Sequence, residues 1–307
     1  MKGRVIKSTG SWYQVRVEEE FISARLKGKF KQENMKLTNP IAVGDWVEME
    51  KEDNQETAVI RTIYPRENYV IRKSTRKNHF SHIIASNLDQ AILIITMKKP
   101  KTSLGFIDRF LVSLESFRIP GVLIINKTDQ ISGERGEEWL QDIHEIYEPL
   151  GYKVFEVSAL YDQDLEKKIL PQVQGKFSLI SGHSGVGKST MINSLIPEAT
   201  QNTQDISEFT SKGIHTTTFA EVFTLKGGGD LIDTPGIKEF GIIDIEDQEL
   251  SHYFPEMRAF LGQCKYNDCT HTSEPGCMVI QKLEEGYIHP YRYESYLNIL
   301  RGEDSHR

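Results

Sequence analysis

The chain has 307 residues, 38% hydrophobic and 26% charged, with a formal net charge of −7 and three cysteines confined to one short segment. That length exceeds one ordinary core and implies two or three domains. No apolar run approaches the roughly 18 residues needed to span a membrane, no signal-peptide stretch follows Met1–Lys7, and an odd cysteine count excludes a fully paired disulfide framework, so a soluble, cytoplasmic, monomeric protein without a membrane partner is expected.

Residues 1–66 form the first segment. Tyr13-Gln14-Val15-Arg16-Val17 alternates polar with apolar, as does Arg25-Leu26-Lys27-Gly28-Lys29-Phe30-Lys31, and turn residues lie between. Short strands at that spacing predict a small β-barrel. In the second stretch Arg25, Lys27, Lys29 and Lys31 share one face and Leu26 and Phe30 the other. Two readings stand: a solvated edge strand guarded by lysines, or a phosphate-binding face extended by Arg66, Arg72, Lys73, Arg76 and Lys77. Residues 1–80 hold 16 Lys and Arg against 11 Asp and Glu, a surplus of +5, so the remainder carries −12. The acidic total argues against indiscriminate coating of nucleic acid and allows a local basic docking face.

Residues 67–240 alternate apolar strands with helical stretches, the pattern of an α/β domain with a mostly parallel sheet. Ala91–Ile95, Val122–Ile125 and Phe177–Ile180 are short, apolar and β-branched, as central strands are. Helices are expected within 106–118, 135–149 and 188–196. Ligands of such sheets gather at the carboxyl ends of the strands, where the motifs lie. Asn126-Lys127-Thr128-Asp129 follows one strand. An ionised Asp129 accepts from the ring N–H and the exocyclic amine of guanine, a donor pair that adenine lacks. Asn126 would bridge loops and meet the base edge, Lys127 would pack over the purine, and Ser158-Ala159 fits a second guanine loop. Gly182-His183-Ser184-Gly185-Val186-Gly187-Lys188-Ser189 matches G-x-x-x-x-G-K-S between a strand and a helix opening at Thr190. Its glycines let backbone N–H groups wrap phosphate oxygens at a helix N-terminus. Lys188 would reach the β- and γ-phosphates, and Ser189 would ligate magnesium.

Gly213–Thr218 lies between this loop and Asp233. Thr217 is the candidate magnesium ligand there, against the alternative of a threonine-rich strand entry. Asp233-Thr234-Pro235-Gly236 would hold a carboxylate against magnesium's bound water and the Gly236 N–H near the γ-phosphate. The next residue is Ile237, which cannot orient an attacking water. His215 is the polar candidate for that task, with a structural histidine the equal alternative.

Residues 241–307 contain Cys264-x4-Cys269-x-His271-x5-Cys277, four soft or borderline ligands that fit a closed tetrahedral site for one zinc. Helical stretches are expected around 247–261 and 278–301. Tyr291, Tyr293 and Tyr296, interleaved with Arg292 and followed by Arg301, suit either an RNA-facing surface or a small core.

The guanine-reading motifs precede the phosphate loop, an order that resembles the circularly permuted GTPases. With an OB-like barrel before it, His-Thr-Thr-Thr at 215–218, Asn87-Leu88-Asp89-Gln90, Ile107-Asp108-Arg109-Phe110 and the Cys-x4-Cys-x-His-x5-Cys module after it, the chain is similar to the small-ribosomal-subunit-dependent GTPase A family, also called YjeQ or YloQ. The resemblance implies a multi-domain α/β chain: an OB-like β-barrel (1–66), a circularly permuted P-loop GTPase domain (67–240) and a C-terminal helical zinc-binding module (241–307). It further implies GTP hydrolysis to GDP, stimulated by the small ribosomal subunit late in its assembly and coupled to release, with rRNA contacts.

Overall fold

The computed structural model describes residues 1–26, 40–52, 57–73, 81–196, 220–233 and 245–303. β1 (Lys2–Ser8), β2 (Tyr13–Val17), β3 (Glu20–Leu26), β4 (Trp46–Lys51) and β5 (Thr57–Ile63) close into a barrel of order β1-β2-β3-β5-β4. Alternation places Val5, Tyr13, Val15, Ile22, Ala24, Val47, Met49 and Ile60 inside it. β3 ends at Leu26, and Lys27, Lys29, Phe30 and Lys31 lie outside the described residues. Two of the expected phosphate-face cations are engaged elsewhere: Arg25 pairs with Glu52 at 2.7 Å, and Arg66 grips the buried Asp45 at 2.6 Å. A hairpin of β6 (Tyr69–Lys73) and β7 (Ser81–Ser86) follows the barrel.

The next unit is a six-stranded sheet of β8 (Gln90–Ile95), β9 (Gly121–Ile125), β10 (Lys153–Glu156), β11 (Phe177–Ser181), β12 (Glu221–Thr224) and β13 (Asp230–Asp233), ordered β10-β9-β8-β11-β13-β12. All neighbours pair in parallel except the edge strand β12. The apolar runs are explained by burial on both faces. Leu93, Ile95 and Leu123 meet α1 (Leu104–Ser116) and α2 (Glu134–Tyr147) on one side. Ile92, Ile94 and Ile124 meet α3 (Leu165–Val173) and α4 (Lys188–Leu195) on the other.

The barrel seats on the amino ends of these strands. Arg16 of β2 makes a two-pronged ion pair with Asp230, the first residue of β13, and the Arg4 guanidinium lies 3.8 Å from the ring centroid of Phe177, the first residue of β11. The carboxyl ends stay open for loops.

Beyond the sheet the expected helical stretch around 247–261 is broken into a 3₁₀ turn, Leu250–Tyr253, and a single helical turn, Pro255–Arg258. Pro255 has no N–H to continue a preceding helix. Helices Met278–Glu284 and Pro290–Leu300 follow, split by Gly286. Leu250, Phe254, Met257, Val279, Ile288 and Tyr296 share a core to which α1 contributes Val112. Of the aromatic and basic mixture, Tyr296 and Arg292 are core and Tyr291 is exposed. Arg292, 1% exposed, donates to Glu256 and to Asp108 of α1, each at 2.6 Å. No helix among the described residues is long and apolar enough to cross a membrane.

Candidate nucleotide site and candidate metal centre

Three loops converge above the carboxyl ends of β9, β10 and β11, and Asn126 ties them together. Following directly on β9 and 2% exposed, its Nδ2 donates to the Val186 carbonyl at 2.7 Å, and its Oδ1 accepts the Ala159 N–H at 2.9 Å. The phosphate-loop sequence and Ser158-Ala159 are thus held to one side chain. Gly187 must be glycine for this to happen, because a Cβ there would stand 2.2 Å from Asn126 Nδ2 at a φ of +104°. Gly182 likewise passes against β8, where a Cβ would meet the Ile94 carbonyl oxygen at 2.5 Å.

Lys127 adopts φ 63°, and its ammonium donates to the carbonyls of Gly185 at 2.6 Å and Lys99 at 2.7 Å, so it spans from the guanine motif to the phosphate loop. Asp129 is exposed in the turn Thr128–Gln130, its Oδ1 fixed by the Ser158 hydroxyl at 2.5 Å. Val186 is buried while Ser184 and Gly185 are exposed. Ser189 and Thr190 stand exposed on the first turn of α4, which opens at Gly187.

The Lys188 Nζ donates to the carbonyls of Gly182 at 2.8 Å and His183 at 3.1 Å. Burial pulls its pKa down, and the negative charge of Asp233 at the end of β13 opposes the shift. Asp233 pairs in register with Ile180 of β11, at the strand end from which the phosphate loop leaves. The Asp233 carboxylate and the exposed Ser189 hydroxyl are hard oxygen donors, the type suited to magnesium. His215, Thr217 and Gly236 lie outside the described residues, as do Ile214 and Ile237. The Lys99 carbonyl and Phe106, whose ring packs tilted against that of His183, belong to no motif. The signal available for them is position alone: both follow β8, whose carboxyl end must border any ligand of this sheet.

A second constellation sits in the C-terminal module. The ligand atoms of Cys264, Cys269, His271 and Cys277 lie within 4.8 Å of one another. Cys264 Sγ is 4.0 Å from Cys277 Sγ, and His271 Nδ1 is 3.6 and 3.4 Å from those two sulfurs. Thiolate bonds of about 2.3 Å give tetrahedral S···S edges near 3.8 Å, so the four atoms fit the corners around one small ion. Burial pushes the Cys269 thiol up to about 12 and raises Cys277, while burial lowers His271. A divalent cation reverses the thiol shifts by pairing with thiolates. The Met278 and Ile280 N–H groups already point at Cys264 and Cys277 sulfur, at 3.3 and 3.5 Å. The loop is fixed by Glu274, which accepts from the N–H groups of Thr270, Thr272 and Ser273 at 2.7, 2.8 and 3.0 Å, and by Tyr293 and Tyr296, whose hydroxyls donate to the His271 and Thr270 carbonyls, each at 2.7 Å.

The model of the RsgA GTPase family matches residues 63–243, and that of the RsgA N-terminal domain matches residues 2–60. The chain belongs to the RsgA GTPase family. A protein of Cytophaga hutchinsonii named small ribosomal subunit biogenesis GTPase RsgA is 50% identical over 309 residues, covering 100% of both chains. One of the same name from Flavobacterium johnsoniae is 46% identical, covering 100% of this chain and 94% of its own. Among solved structures, YloQ, described as a circularly permuted GTPase, superposes with a TM-score of 0.76 at 30% identity over 98% of this chain and 94% of that one. YjeQ from Thermotoga maritima gives 0.78 at 33% identity over 100% and 99%. The family resemblance carried by the motif order, the barrel and the Cys3His group is therefore correct. Membership in the RsgA GTPase family makes the chain a GTP-hydrolysing enzyme whose ligands are guanine nucleotide and Mg2+.

Proposed function

We propose that this RsgA-family chain binds the small ribosomal subunit and its rRNA, acts late in subunit maturation, and couples hydrolysis of GTP to GDP and phosphate with its own release. The observation that carries the reading is the Asn126 amide, which holds a phosphate loop and a guanine loop at one point although they are 60 and 33 residues away along the chain. The full-length relatives named for small-subunit biogenesis support the ribosomal partner.

In this reading Asp129 accepts the guanine ring N–H and amine. Asn126, Lys127, Ser158 and Ala159 shape the base pocket. The N–H groups of Gly182 to Thr190 surround the phosphates, and Lys188 exchanges its two carbonyl partners for β- and γ-phosphate oxygens. Ser189 and Thr217 would hold magnesium, with the Asp233 carboxylate adding negative charge to that site and the Gly236 N–H meeting the γ-phosphate. Bound magnesium would neutralise charge developing on the phosphate oxygens. His215 orients the attacking water, a task closed to Ile237. Cys264, Cys269, His271 and Cys277 hold one structural Zn2+, since three thiolates and an imidazole fill a tetrahedron and leave no position for substrate. The chain divides at about 66/67 and 240/241, works as a monomer, and resides in the cytoplasm, where reduced thiols persist.

Phosphate release from GTP and from ATP, with and without small subunits, tests this. GTP-specific turnover that rises with subunits is expected. Ile237 favours one rival, a GTP-dependent RNA-binding switch without significant turnover, and subunit binding with no stimulated release would select it.

A further inference from the structure

A phosphate loop with Gly182, Gly185 and Gly187 all at positive φ has little intrinsic stiffness, so its shape must come from anchors. Two hold its second half: Asn126 on the Val186 carbonyl at 2.7 Å and Lys127 on the Gly185 carbonyl at 2.6 Å. The first half is met by a different residue. The Phe106 ring lies over the His183 ring, centroids 4.0 Å apart and planes at 32°. The His183 carbonyl in turn receives the Lys188 ammonium at 3.1 Å and the Val186 N–H at 3.3 Å. Fixing the His183 residue therefore fixes an acceptor of the lysine that faces the phosphates.

Phe106 is well placed to act as an anchor because it is itself immobilised. It is 5% exposed, packs into the sheet core, and sits in the first turn of α1, where Ser103 caps its N–H. The remainder of α1 is held by the C-terminal module: Arg292 on Asp108 at 2.6 Å, Arg258 on Glu115 at 2.9 Å, and Arg109 on the Glu303 carbonyl at 2.8 Å. A helix held along its length presents one aromatic ring to the loop.

We propose that Phe106 is a positioning residue of the phosphate loop, its ring holding His183, and with it the turn that the His183 carbonyl closes with the Val186 N–H, in place before nucleotide arrives. The inference rests on reading Gly182–Ser189 as the site of a guanine nucleotide's phosphates. Loss of this ring contact lets the loop populate other shapes, and the apparent affinity falls by the fraction lost.

The test uses the full chain and fluorescent GDP. Phe106→Leu and His183→Ala are each expected to weaken GDP binding about two- to tenfold, the range of one aromatic pair. The double variant should bind no more than about twofold worse than the weaker single, because both changes remove one contact. His183→Phe, which keeps a ring, should bind GDP more tightly than His183→Ala. Additive losses in the double variant, or His183→Phe as weak as His183→Ala, would overturn the proposal. So would Phe106→Leu lowering the melting temperature while leaving GDP affinity intact, the mark of core packing alone. Lys188→Ala runs alongside: GDP affinity lost there but unchanged in Phe106→Leu sinks this inference only, whereas unchanged affinity in Lys188→Ala removes the phosphate site itself.

Discussion

Replacing Asn126 probes the junction that ties the Gly182–Ser189 loop to Ser158-Ala159 and tests whether the two make one nucleotide site. Asn126→Ala removes two hydrogen bonds at a position 2% exposed to solvent, leaving the Val186 carbonyl and the Ala159 N–H without their partner. A buried backbone group stripped of its partner costs about 1–3 kcal/mol. Two such groups together would cost about 2–6 kcal/mol, and partial relaxation of the loops toward water keeps the sum in the lower half, roughly 2–4 kcal/mol of linkage between the loops. At about 1.4 kcal/mol per decade this corresponds to GTP and GDP affinities reduced roughly 30- to 700-fold. Asn126→Asp is the sharper probe because it preserves shape. It keeps an acceptor for the Ala159 N–H and turns the other atom into an acceptor facing the Val186 carbonyl, so it should bind at least as poorly as the alanine variant. Equilibrium titration with fluorescent GDP, alongside thermal melting, separates site loosening from global unfolding. A variant that folds and binds within about fivefold of the parent would refute the junction, and an aspartate tighter than the alanine would refute the assigned donor.

Guanine reading is tested at Asp129: Asp129→Asn should cut GTP affinity at least about a hundredfold, by removing a charged two-point acceptor, and regain binding to xanthosine triphosphate; unchanged GTP binding would sink the assignment. Elemental analysis of native protein should find one zinc per chain, and Cys264→Ser should loosen residues 245–303, since structural zinc contributes on the order of 10 kcal/mol in small metal-folded units; native protein without zinc would remove the metal from the account. His215→Ala should lower subunit-stimulated turnover roughly 10²–10⁴-fold with GTP affinity nearly unchanged, and a drop below tenfold would return this histidine to a structural role.

What the sequence revealed and what it hid divide along the range of the interactions involved. Tyr13–Val17 alternates because one barrel face is buried, and β2 follows; Ala91–Ile95 and Val122–Ile125 are continuously apolar because helices cover both faces. The phosphate loop, the Asn-Lys-x-Asp turn and the Cys3His set are legible because each packs its chemistry into a few consecutive residues. Contacts between distant segments leave no such trace. Arg16 meets Asp230 across 214 positions and Arg292 meets Asp108 across 184. Within Tyr291-Arg292-Tyr293, a buried arginine looks the same as one facing RNA. Phe106 reads as one more apolar helix residue, since nothing in its neighbours tells that a loop 77 positions later will bring a histidine to its ring.

The Arg292 cluster shows how the permuted order is put to use. Burial pulls the guanidinium pKa down, but Asp108 and Glu256 more than offset that, so the charge is retained in the core. One cation between two carboxylates leaves a net negative charge, which the Tyr147 hydroxyl moderates by donating to Asp108 at 2.7 Å. Such a cluster is no stronger than a well-packed apolar contact, yet removing one partner costs about 3–5 kcal/mol because the others stay buried without it. What it supplies is register. Leu and Val contacts tolerate sliding, whereas a guanidinium shared by Asp108 on α1 and Glu256 in the turn Pro255–Arg258 is satisfied in one placement of Pro290–Leu300. In the permuted chain α1 lies before the guanine motif and the phosphate loop, and the module that locks it arrives after them. The last segment therefore closes on the helix whose first turn borders His183. The C-terminal module is thereby held along α1 from Asp108 to Glu115, while the barrel is held by Arg16 and Arg4 at the amino ends of β13 and β11.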